Sequence, residues 1–66
     1  MSAPAIEATT VEFVALNAHG RAVDKVAPYL GHTEIQPGVF RVADVFGESI
    51  VEIPRGGSYS IRGVER

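Results

Sequence analysis

His19, His32 and Glu34 are the residues whose types first suggest chemistry. In an extended segment, His32 and Glu34 project from the same face of the strand. His19 beside them would complete a two-histidine, one-carboxylate set of the kind that holds a transition metal. Nothing in the spacing requires such a site. With no metal-ligand motif in the chain, two solvated loop histidines are the simpler reading, and no metal or cofactor is expected.

Nucleophilic chemistry is no better supported. Serine, histidine and acids all occur, but no G-x-S-x-G elbow, phosphate-binding loop or dinucleotide fingerprint is present. A chain of 66 residues has little material from which to build a water-excluding pocket. The expectation is a protein that is not an enzyme. Asp44 is the one carboxylate that the strand pattern puts on a core-facing side, either as a perturbed acid or at the sheet rim. The basic residues concentrate in Arg55-Gly56-Gly57, Arg62 and Arg66, with Tyr59 between them. Arginines flanking an aromatic ring make a stacking platform for nucleic acid, so Arg55, Arg62 and Tyr59 are candidate anion contacts. A single RGG is equally a turn with a solvated arginine.

Composition bears on the scaffold that must position these groups. Valine and isoleucine number fourteen against two leucines. β-Branched side chains lose rotamer freedom in helices and pack well on pleated sheet, so the chain reads as mainly β or small α+β. The net charge of −2 gives no basic excess for phosphate binding. No apolar run is long enough to cross a membrane, and no basic, apolar leader opens the sequence. A cytoplasmic protein or a component of an assembled particle is expected. Cysteine is absent, so neither disulfides nor thiolate metal sites can reinforce so small a core. Association with a partner is the remaining route.

Along the chain, residues 1–10 read as an extended tail or arm and residues 11–66 as one β-rich domain. Residues 11–16 alternate as a strand, and residues 17–20 supply a turn. In residues 21–30, Val23, Val26, Ala27 and Leu30 fall on one helical stripe. A short or kinked helix limited by Pro28 is predicted, with a second strand as the alternative. Pro37-Gly38 marks a turn before a strand over residues 39–46. A type II′ turn at Gly47-Glu48 would then set Val45 opposite Ile50 and Val42 opposite Ile53. A loop over residues 54–58 would return Tyr59 and Ile61 to the face of Val51 and Ile53. The predicted architecture is a small barrel or roll. It has a three-stranded C-terminal antiparallel meander, an N-terminal strand and the short helix.

In that arrangement Phe40, Val42, Phe46, Val51, Ile53, Tyr59 and Ile61 point to the core. Val39, Arg41, Val45, Ile50 and Glu52 occupy the opposite face, and Val14 and Leu16 pose the same excess on the first strand. These seven residues are the candidate partner interface, because so short a chain has few elements left to cover a second apolar face. The functional expectation is a non-catalytic structural or interaction module. It would assemble with itself or onto a larger complex, for example as an accessory or decoration protein of a viral (phage) particle. The alternatives are a small β-barrel binding nucleic acid through Arg41, Arg55, Arg62 and Tyr59, or a small regulator that inhibits a host protein. A protein partner or a homo-oligomer is expected ahead of nucleic acid, and a membrane is not.

Overall fold

The computed structural model describes residues 9–65, which form six strands and no helix. They are β1 (Thr9–Leu16), β2 (Ala22–Val26), β3 (Tyr29–Gln36), β4 (Val39–Asp44), β5 (Gly47–Glu52) and β6 (Ser58–Glu65). Two antiparallel three-stranded sheets result, in the orders β2-β1-β6 and β3-β4-β5. The small β domain implied by the Val/Ile bias is therefore present. Of the expected N-terminal arm, residues 1–8 lie outside the described residues, while Thr9 and Thr10 already belong to β1.

The helix expected over residues 21–30 is absent; β2 and the start of β3 take its place. The reason is a β-bulge. β2 pairs Asp24 with Ala15 and Ala22 with Leu16, which leaves Val23 as the extra residue. A bulge inserts one residue and breaks the two-residue alternation. The pattern of Val23 and Val26 consequently looked helical, although only Val26 is buried. The Asn17 side chain organises the preceding turn, its Oδ1 accepting from the backbone N–H groups of His19 (2.9 Å) and Arg21 (3.0 Å).

The meander is β3-β4-β5 and not the three C-terminal strands. Pro37-Gly38 forms the expected turn, with Gly38 at φ +79° as the third position of a type II turn requires. The next hairpin turns two residues earlier than predicted. Asp44 pairs with Gly47 and Phe40 with Val51, so Val45 and Phe46 are the loop. Asp44 fixes this choice, because its Oδ1 accepts from the Phe46 N–H at 2.7 Å. The displacement is even, so Phe40, Val42 and Val51 keep the shared face assigned to them. Phe46 is removed from it.

The turn at residues 54–57 carries the chain out of this sheet to pair with β1 along its whole length. A Cβ at Gly57 would collide with the Leu16 carbonyl oxygen and lie 3.0 Å from that of Pro54, so only glycine fits there. Tyr59 and Ile61 still face the core, from the opposite sheet. The core between the sheets holds Phe13, Ala15 and Val26 from one side and Phe40, Val42 and Val51 from the other. The Phe13 ring contacts those of Tyr59 (5.0 Å between centroids), His32 (5.4 Å), Phe40 (5.7 Å) and Tyr29 (6.2 Å). Such aromatic packing contributes beyond area burial alone. The radius of gyration is 13.8 Å, against about 11 Å for a compact chain of this length. The molecule is elongated, with much of its apolar surface at the periphery.

Candidate functional site

The structure disperses the residues that suggested chemistry. His19 is exposed in the turn after β1, whereas His32 sits half-buried in mid-β3 among aromatic rings. The His32 Nδ1 and the Tyr29 hydroxyl share a 2.6 Å hydrogen bond, which ties the imidazole into the core. Pairing with Val42 and Phe40 puts His32 and Glu34 on one face, as alternation predicts. Glu34 instead serves the adjacent turn, its Oε2 accepting from the Gly38 N–H at 3.1 Å. Among the described residues no group of three or more His, Cys, Asp or Glu gathers in metal-binding geometry. Asp44 lies half-buried at the end of β4 and caps the turn it precedes.

The arginine and tyrosine candidates also separate. Tyr59 points between the sheets and stacks on Phe13, while Arg62 projects from the opposite face of β6, its Nε donating to Ser60 Oγ at 3.1 Å. Arg55 is exposed in the turn before β6. Arg41 occupies the outer face of the other sheet, its Nε 3.7 Å from Glu48 Oε1. Both side chains are well exposed, so the ion pair contributes little to stability. No single face gathers a cationic platform from these residues.

The interface candidates divide in two. Val39, Arg41, Ile50 and Glu52 share the outer face of the β3-β4-β5 sheet through the pairs Val39 with Glu52 and Arg41 with Ile50. On this face Ile50, Arg41 and Glu52 are exposed and Val39 is half-buried. Val14 and Leu16 lie on the outer face of the other sheet, across the molecule. Val14 is fully buried and Leu16 half-buried, so Val14 is unavailable to a partner. Val45 is neither on a strand nor on this face; it forms the β4–β5 turn and is 58% exposed.

Among the described residues, the most exposed large apolar side chain is one that the expected register placed in the core. Phe46, beside Val45 in the turn, is 87% exposed. Leu30, 63% exposed, joins them from β3. Tyr29 pairs with Asp44 and Gly31 with Ala43, so Leu30 is the extra residue of a bulge next to this turn. A second bulge leaves Ile35 unpaired and exposed near the far end of the strand. Bulges re-aim side chains away from the regular pleat. Leu30, Val45 and Phe46 thus make an apolar tip at one end of the sheet. The signal for it in the sequence was Asp44 two residues before Phe46, the spacing at which an aspartate caps a turn.

The depression lined by Glu34, Ile35, Gln36 and Pro37 is open to solvent and excludes no water. No helix among the described residues is long and apolar enough to cross a membrane. Set against protein-family models, curated proteins and solved structures, the chain matches none.

Proposed function

We propose that this chain is a non-catalytic interaction module that docks a protein partner through the apolar tip of its β3-β4-β5 sheet. The supporting observation is the exposure of Phe46 beside Val45 and Leu30. Fully burying a phenylalanine side chain is worth roughly 1.5–3 kcal/mol, and this fold leaves that contribution unused. Aromatic side chains entering a partner's pocket commonly dominate binding energy, with flanking contacts that exclude water. Leu30 and Val45 are placed to provide such flanks, and Ile50, Arg41 and Glu52 extend the surface along the same sheet. A structural or accessory subunit of a larger particle is one setting for such a module. Nucleic acid is a weaker reading, because the arginines and Tyr59 do not share a face.

A photo-crosslinking residue at position 46, with the same group at position 55 as control, tests the proposal in a lysate of the native source. Protein adducts concentrated at 46 and diminished by Leu30→Ser are expected. Equal labelling at both positions, or none at 46, would sink the reading.

A further inference from the structure

Among the described residues the two sheets have four edges, and they are unequally protected. β2 is short, bulged at Val23 and charged at Asp24 and Lys25. β3 has two bulges and carries Glu34. β5 has an even ladder but carries Glu48 and Glu52. A second β5 laid antiparallel about Ile50 would set Glu48 against Glu52 of the other copy. Short length, bulges and charges are the devices that keep edge strands from pairing with other chains.

β6 is neither short nor bulged, and it is sparsely charged over residues 58–63. Its ladder with β1 runs without irregularity from Ser58 to Glu65, and Arg62 is the only charge in that stretch. The inner row beside this edge is also incompletely covered, with Ile61 42% and Tyr59 40% exposed. Gly63, opposite Val11, offers no side chain to shield it, and Val11 is exposed too.

We infer that β6 is a homodimerisation edge, two copies pairing antiparallel about a two-fold axis through Ile61. The two β2-β1-β6 sheets then become one continuous sheet. Directly opposed residues in an antiparallel pair share a face, which limits the registers. With Ile61 on the axis, Ile61 meets Ile61, Tyr59 covers Gly63 and Ser60 meets Arg62 of the other copy. Moving the axis to Arg62 would oppose two guanidinium groups, and like charges directly opposite are destabilising. Moving it to Ser60 shortens the ladder, since β6 begins at Ser58. The Ile61 register is the long one without repulsion. An isologous contact of this kind closes on itself and stops at two subunits. It uses no residue of the apolar tip and goes beyond the reading given to that tip.

The edge is small for an interface, so the dimer should be concentration-dependent, dissociating somewhere between about 1 µM and 1 mM. Sedimentation equilibrium over that range on the full chain gives the first test, with a monomer–dimer equilibrium expected. Because the chain lacks cysteine, single cysteines report the register. Ile61→Cys should oxidise readily to a covalent dimer, since directly opposed Cα atoms fall within disulfide reach. Ser60→Cys and Arg62→Cys should each crosslink at least tenfold more slowly, whereas their mixture should link as a heterodimer. Phe46→Ser should dimerise like the parent chain. Monomer at every concentration, open-ended polymers, preferential linking through Ser60→Cys, or loss of the dimer in Phe46→Ser would each overturn the inference.

Discussion

Phe13 and Phe46 are chemically identical side chains placed at opposite extremes. Phe13 is fully buried at the centre of β1, with four aromatic rings around it drawn from β3, β4 and β6. Phe46 is 87% exposed in a two-residue turn and is held there by its own backbone N–H, which donates to Asp44. The first is positioned by pairing on both sides of its strand, with Val26 and with Ile61. The second is positioned by a turn and contributes nothing to the core. The difference separates what this fold needs in order to exist from what it leaves free to act on something else.

The largest effect should come from Phe13→Ala. Truncating a buried phenylalanine typically costs about 3–5 kcal/mol, a large share of the stability of any domain this small. Tyr59, Phe40 and His32 would lose their common neighbour together. Circular dichroism during urea titration should show the variant largely unfolded in buffer. A variant that kept the parent midpoint would mean that the inter-sheet ring cluster does not hold the fold.

Gly57→Ala should come next, at roughly 2–3 kcal/mol, because a new Cβ is forced against backbone that cannot move aside cheaply. The contact involves the Leu16 carbonyl, so relief requires β6 to shift along β1. Tyr59 stacks on Phe13 from that strand, and its near-ultraviolet dichroism should weaken with the shift. An unchanged denaturation midpoint would show that the crossing from one sheet to the other is looser than the close approach at Gly57 implies.

The same contrast explains what the sequence disclosed and what it concealed. Wherever two-residue alternation ran unbroken, as in Phe40, Val42 and Val51, facing was legible, and it survived an error in register because the error was even. Wherever a bulge interrupted the alternation, it was not. Val23 at a bulge made β2 resemble a helix, and Leu30 and Ile35 left the pleat for the same reason. Local patterning also could not reveal that β6 joins β1 instead of β5, because Tyr59 and Ile61 face inward in either arrangement. Of the interface candidates, Ile50, Arg41 and Glu52 lie exposed on one face, but Val14 is enclosed. Phe46 was missed because glycine at position 47 suggested a turn two residues later than the one the aspartate at 44 enforces.

Phe46→Ser should have the smallest effect on stability and sharpens the comparison most. Nothing packs on the side chain strongly enough to hide it, and the backbone hydrogen bond to Asp44 does not depend on it. A change within about 0.5 kcal/mol is therefore expected, as for surface substitutions remote from the core. The loss should appear in association: crosslinking from a neighbouring probe at Val45 should fall several-fold while the urea midpoint stays put. Destabilisation by 2 kcal/mol or more, of the order of a core truncation, would place Phe46 in the structural class with Phe13. The tip would then be part of the scaffold, and the reasoning that assigns it to a partner would fail with it.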